Sequence, residues 1–369
     1  MPKDDRTRSF PPSGGPRRPP AREEVRIPTP RQVYEHLDRY VIGQTSAKRA
    51  VATAAHQHLK RIEQRRQGKA TLLRKSNLLL MGPTGSGKTH IARKLAELLE
   101  VPFTVVDATE YTEAGYYGKD VEVMVAELLF KSGHSIDATQ RGIIFIDEID
   151  KIARRSGSAR TGAGSRDIGG EGVQQALLKL LEGREIFVPL NVTQHWNKHD
   201  FVQVDTNDIL FVCAGTFTDL HQAQVDKQVG FGAEGRRQGD LRLRVKELIE
   251  YGMLAELLGR LPVQVQLREL TPDELYQVLT GPPDCLVREY KDAVALDGAA
   301  LDLRDGALRS IVEYAVAKRL GARGLRSILE EVLADVMFDA PEKRGEKVVI
   351  DRKYALARLK RVDASALRD

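Results

Sequence analysis

Hydrophobic residues along the chain follow two spacings. Four short runs, at 77–81, 103–107, 143–147 and 209–213, are almost continuously apolar. Between them, apolar residues recur every three or four positions, which predicts helices starting near Gly87, Val121 and Val173. Short apolar runs alternating with helices predict parallel strands covered on both faces, a large α/β domain. An earlier helix is predicted from Thr45 to Gln64, with Ala47, Val51, Ala54, Ala55, Leu59 and Ile62 on one face. A shorter helical segment begins at Thr29-Pro30 and runs through Leu37.

Beyond Arg260-Leu261-Pro262 the pattern changes. Thr271-Pro272-Asp273-Glu274 reads as an N-cap, a proline at the first helical position and a capping glutamate three residues after the cap. Leu325, Ile328, Leu329, Val332, Leu333, Val336 and Met337 then recur at threes and fours, an amphipathic helix. The expected division is a large domain over 31–267, a smaller, mainly helical α+β domain over 268–363, and a tail at 364–369. Residues 1–30, rich in Pro, Gly and Arg, bury too little apolar surface to offset ordering and are expected to form a disordered arm.

Composition narrows the class. At 41% hydrophobic and 30% charged the chain is ordinary for a soluble globular protein. No apolar run approaches the roughly 18 residues of a membrane span, and the start lacks the apolar stretch of a secretory signal. A cytoplasmic location is expected, with no membrane partner. Two cysteines, Cys213 and Cys285, are too few for a disulfide framework or a four-cysteine zinc site. The net charge of +5 raises nucleic acid as a partner. Seven basic and four acidic residues fall in the first 30, however, and a second basic stretch, Lys60 to Lys75, reads as a solvated surface. No nucleic-acid module accompanies either, so no such partner is expected.

Candidate chemistry centres on Gly82-Pro83-Thr84-Gly85-Ser86-Gly87-Lys88-Thr89, which matches G-x-x-x-x-G-K-[ST] between a predicted strand and a helix. The glycines let backbone N–H groups surround phosphate oxygens beside the positive end of the following helix. Lys88 is then expected to reach the β- and γ-phosphates and the Thr89 hydroxyl to ligate Mg²⁺. The run Ile143-Ile144-Phe145-Ile146 ends in Asp147 and Glu148. Carboxylates at the C-terminal end of a buried strand lie where open α/β sheets place their sites. Asp147 is assigned to Mg²⁺ and Glu148 to the base that polarises the attacking water. The expected ligands are therefore ATP and Mg²⁺.

With these motifs, residues 40–44 (YVIGQ), 112–122 (TEAGYYGKDVE), 145–152 (FIDEIDKI), 170–183 (GEGVQQALLKLLEG), 259–263 (GRLPV) and 321–330 (GARGLRSILE) resemble the AAA+ ATPases of the ClpX family. The likeness runs from about Gln32 to Arg361. It implies a homohexameric ring that binds ATP at subunit boundaries, unfolds tagged or unfolded protein substrates and feeds them to a ClpP-type peptidase. By resemblance, Val41 and Ile42 pack on the adenine, Arg323 is the sensor-2 arginine, and Arg260 projects at the neighbouring subunit's nucleotide. Taken alone, either arginine fits a surface ion pair. Tyr116 and Tyr117, between Gly115 and Gly118, fall at the pore loop that grips substrate, and Val229-Gly230-Phe231 aligns with the tripeptide that docks on the peptidase.

The chain also departs from the family. The usual four-cysteine zinc domain has no equivalent, so no zinc is expected. The pore-entrance Arg-Lys-His is replaced by Asn197-Lys198-His199, and Thr216 stands as the candidate at the sensor-1 position. Two other readings stay open: a stand-alone remodelling chaperone without a peptidase, and a nucleotide-gated assembly factor that never translocates.

Overall fold

The computed structural model describes residues 27–112, 119–154, 168–190, 201–220 and 243–365. Tyr116, Tyr117, Asn197-Lys198-His199 and Val229-Gly230-Phe231 therefore lie outside the described residues.

Helices α1 (Pro30–Tyr40) and α2 (Thr45–Arg66) lead into β1 (Leu78–Met81), α3 (Lys88–Leu99) and β2 (Phe103–Asp107). The two-residue strands β3 (Tyr111–Thr112) and β4 (Lys119–Asp120) precede α4 (Val123–Lys131), α5 (Ile136–Thr139) and β5 (Ile143–Asp147). Next come α6 (Ile168–Glu182), the antiparallel pair β6 (Glu185–Pro189) and β7 (Phe201–Asp205), and β8 (Leu210–Gly215). The short helices α7 (Val245–Tyr251) and α8 (Ala255–Gly259) then lead to β9 (Val263–Gln266).

Five of these strands form a parallel sheet in the order β2-β5-β8-β1-β9. Because successive side chains alternate between faces, the apolar runs supply both cores at once. Leu79, Met81, Ile144, Ile146, Phe211 and Cys213 pack into one cluster with α4 and α6. Leu78, Leu80, Ile143, Phe145, Leu210 and Val212 pack into the other with α1, α2 and α3. Cys213 is fully buried, and burial pushes its thiol up to about 12, so it behaves as a small core hydrophobe. The first helix begins at the expected place and carries a cap that was not anticipated. Thr29 and Gln32 close a capping box on α1.

The C-terminal elements are α9 (Pro272–Thr280), α10 (Leu286–Leu296), β10 (Ala300–Leu303), α11 (Asp305–Ala317), α12 (Gly321–Asp339), β11 (Lys347–Ile350) and α13 (Arg352–Ser365). They enclose a hydrophobic cluster of their own, and β10 pairs with β11 in parallel. Helix α9 carries the predicted box, with Thr271 accepting from Glu274 N and Glu274 accepting from Thr271 N. The amphipathic stretch forms α12 and buries Leu325, Ile328, Leu329, Val332, Leu333 and Val336. Among the described residues no helix is long and apolar enough to cross a membrane.

Three features differ from expectation. Helix α6 starts at Ile168 rather than near Val173. Gly170 lies so close to Ile152 that a Cβ would stand 2.7 Å from its carbonyl oxygen, so this glycine serves the packing of the helix. The edge strand β9 and the β6–β7 hairpin are additional elements. The basic stretch Lys60 to Lys75 is not wholly a solvated surface. Arg61 is 6% exposed and pairs with Asp208, while the Lys75 ammonium donates to Thr206 O at 2.8 Å and sits 4.5 Å from the Phe211 ring centre. Burial first, then the Arg61 charge, lowers Lys75 to about 7. Burial likewise holds His58 neutral, down to about 3.

Candidate nucleotide site

The sheet order brings together segments far apart in sequence. Since β1 neighbours β8 and β8 neighbours β5, the loop after β1, Thr216 after β8 and the acids at the end of β5 meet at the carboxyl edge of the sheet. They line a cleft of about 390 Å³, closed on another side by Ala322 and Arg323 at the start of α12.

The loop is shaped by its glycines. Gly85 has φ +76°, and a Cβ there would meet Ala322 N at 2.9 Å, so only glycine admits the C-terminal body this close. Gly87 has φ +100° at the N-cap of α3, and beside it there is open space. Buried Lys88 donates from Nζ to Gly82 O at 2.6 Å and Pro83 O at 3.0 Å. Its pKa is lowered, chiefly by burial; the Asp147 and Asp150 charges oppose this and Arg323 adds to it. The Ser86 hydroxyl is buried and has no hydrogen-bond partner among the described residues.

Opposite the loop, Asp147 ends β5 and Glu148 follows in a left-handed conformation, φ +56°. Such a conformation in a non-glycine residue costs of order 1–3 kcal/mol and turns the Glu148 peptide sharply out of the strand. Both residues line the cleft. Asp150, 6% exposed, accepts from Thr216 Oγ1 at 2.9 Å and from Phe217 N at 3.1 Å, tying the turn after β5 to the end of β8. The Thr216 hydroxyl proton is thereby committed to Asp150, leaving its lone pairs toward acceptor duty.

Of the residues singled out from the sequence, Thr84, Gly85, Gly87, Lys88, Thr89, Asp147, Glu148, Thr216 and Arg323 come together around the cleft. Gly82, Pro83 and Ser86 complete the loop without facing it. Arg260 does not join them. It caps α8, is about half exposed, and donates from Nη2 to Glu182 Oε1 at 2.6 Å. Val41 is 4% exposed and belongs to the core beside α2, and Ile42 lies near Gly281; neither is in the cleft lining. Asp150, Lys151 and His90 line the cleft but were not singled out; the first two lay within the FIDEIDKI motif, and His90 directly follows Thr89.

The residues present fit a magnesium nucleoside triphosphate. Open space at a helix N-terminus and three cations, Lys88, Lys151 and Arg323, suit phosphate oxygens. Thr89 and Asp147 offer the oxygen donors that Mg²⁺ prefers. A phosphate loop on β1, acids on β5, a polar residue on the intervening β8 and an arginine from a helical C-terminal body define an ATPase of the AAA+ class.

Comparison with known proteins narrows this. Residues 73–264 match the family model described as AAA domain (Cdc48 subfamily), and residues 270–349 match that described as C-terminal, D2-small domain, of ClpB protein. The chain is 41% identical over 338 residues to the ATP-dependent Clp protease ATP-binding subunit ClpX of Treponema denticola, covering 89% of this chain and 81% of that one. It is 43% identical over 317 residues to ClpX 2 of Wolinella succinogenes, covering 86% and 79%. With ClpX of Porphyromonas gingivalis the identity is 41% over 343 residues, covering 90% and 83%. The chain belongs to the ClpX family of AAA+ ATPases, and it is an ATPase.

Proposed function

We propose that this chain is an ATP-driven protein unfoldase and translocase, working as a homohexameric ring in the cytoplasm and delivering unfolded or tagged proteins to a ClpP-type peptidase. The carrying observation is that the likeness to ClpX spans both the sheet and the C-terminal body, whose junction forms the nucleotide cleft.

ATP is the substrate of the cleft. Gly82–Gly87 and Lys88 hold its phosphates, and Arg323 reaches the terminal phosphate from the C-terminal body. Thr89 and Asp147 hold Mg²⁺, which when bound neutralises charge on the phosphate oxygens. Water attacks the γ-phosphorus, the Glu148 carboxylate takes its proton, and the β–γ bridge breaks to leave ADP. Thr216, its own proton given to Asp150, accepts a hydrogen from that water and so orients it. Arg260, which does not line its own cleft, completes the site of the adjacent subunit in the ring. Val41 and Ile42 pack on the adenine.

Tyr116 and Tyr117 grip the translocating chain, since an aromatic ring offers contact area to any sequence, and Val229-Gly230-Phe231 docks the ring on the peptidase. Tyr116→Ala should leave ATP turnover near the unmodified rate and stop unfolding of a stable protein. Unchanged unfolding by that variant would refute the pore assignment.

A further inference from the structure

Gln44 occupies a position that the phosphate chemistry does not use. It is 5% exposed and left-handed at φ +53°, directly before α2. Among the described residues its side-chain amide bonds to main chain. Nε2 donates to Ser86 O at 3.2 Å and to Arg268 O at 2.7 Å, and Oε1 accepts from Arg268 N at 3.2 Å. Ser86 belongs to the phosphate loop. Arg268 belongs to the short connection between β9 and α9, where the chain leaves the sheet for the C-terminal body. By satisfying both the N–H and the C=O of Arg268, the amide acts as a strand partner to that residue and fixes its peptide plane. Its remaining N–H reaches the loop.

The connection is held from other sides as well. Arg268 pairs with Glu274 through two bonds, Nη1 to Oε2 at 2.7 Å and Nη2 to Oε1 at 2.6 Å. Glu274 also closes the cap of α9 by accepting from Thr271 N at 2.9 Å. A Cβ on Gly43 would stand 2.5 Å from Glu274 Oε1, so residue 43 abuts the same unit. Gly43, Gln44, Arg268 and Glu274 thus form one knot, and Ser86 O is its attachment to the phosphate loop.

The loop end of this linkage is free to change. Lys88 Nζ spends two of its three N–H donors on Gly82 O and Pro83 O, both carbonyls of the loop, so a phosphate that draws the ammonium toward itself pulls on the loop through them. Ser86 N holds Pro83 O only at 3.3 Å, and its hydroxyl holds nothing among the described residues. A rearrangement of the loop would move the one carbonyl that Gln44 ties to the connection.

We propose that Gln44 is a positioning residue that transmits the state of the phosphate loop to the connection carrying the C-terminal body. Nucleotide binding then changes the order of residues 264–275 through one side-chain amide. This linkage goes beyond the unfoldase reading and needs only nucleotide binding, so its failure leaves that reading untouched.

The test is amide hydrogen exchange on the full chain with and without saturating ADP and Mg²⁺, read at peptides covering 82–89 and 264–275. In the unmodified protein ADP should slow exchange at both, at the Arg268 amide by roughly five- to tenfold, the equivalent of about one net hydrogen bond. In Gln44→Met, of similar length but without the amide, ADP should still slow 82–89 while changing 264–275 by less than about twofold. A purely packing role would loosen both peptides and leave the ADP effect at 264–275 intact, and that result would overturn the proposal. Loss of ADP binding by the variant would also overturn it, by making Gln44 part of the binding site. If Gln44→Met does not fold, Gln44→Asn, a methylene too short to span both attachments, carries the same expectation.

Discussion

Arg260 separates two accounts that differ by several kcal/mol. Among the described residues it pairs with Glu182 at 2.6 Å, with side chains 51% and 47% exposed. A pair so exposed is worth about 0.2–1 kcal/mol. If that were its whole role, Arg260→Ala would leave ATP turnover unchanged and Glu182→Gln would match it. If Arg260 completes the adjacent subunit's site, Arg260→Ala should lower turnover by about 10³–10⁵, equivalent to about 4–7 kcal/mol in the barrier. Glu182→Gln should then leave turnover near normal. Mixed rings make the assay decisive. An Arg260→Ala chain keeps its phosphate loop, and a Lys88→Ala chain keeps its Arg260. Each is inactive alone, but in a random equal mixture about a quarter of the seams of a closed ring pair an intact loop with an intact arginine. Turnover should reappear on mixing. Mixtures as inactive as their parents, or Arg260→Ala retaining near-normal turnover, would refute the assignment.

Other expectations follow from the same geometry. Glu148→Gln should keep ATP binding and lower turnover by about 10²–10⁴; turnover at the unmodified rate would show that another group is the base. Lys88→Ala should weaken ATP binding itself, measured with a fluorescent nucleotide, because phosphate charge loses its partner. Lys75, lowered to about 7 in the fold against about 10.4 unfolded, binds fewer protons folded than unfolded in that window, so its contribution becomes more favourable as pH rises from about 7. The stability advantage of Lys75→Met should therefore shrink by up to about 1.4 kcal/mol per pH unit between about pH 7 and pH 9. Parallel thermal-unfolding profiles for the two proteins would contradict the buried-ammonium account.

What the sequence disclosed and what it hid divide along contact range. The phosphate loop is eight consecutive residues between a strand and a helix, and Asp147-Glu148 directly follow an apolar run, so both are local signals. The buried central strands were legible because both faces are apolar. Strand β9 was not, since Gln264 and Gln266 alternate with valines on a sheet edge. Arg61 and Lys75 looked solvated because groups that enclose them, Thr206, Asp208 and Phe211, come from a segment more than 130 residues away. Gln44 appeared in a quoted motif, yet its meaning depends on Ser86 and Arg268, 42 and 224 residues distant. The start of α6 is expected near Val173 because glycine has low helix propensity, whereas the close approach of Ile152 calls for glycine at 170 within the helix.

The central claim is that ATP hydrolysis in this cleft pulls proteins apart. Its most direct test is a stably folded fluorescent reporter with an unstructured terminal tag, incubated with the purified chain, ATP and Mg²⁺, with and without a ClpP-type peptidase. The account predicts that fluorescence is lost only with ATP and both proteins, that peptides appear, and that Glu148→Gln abolishes both. A reporter that stays folded and intact while the chain hydrolyses ATP at full rate beside an active peptidase would contradict it.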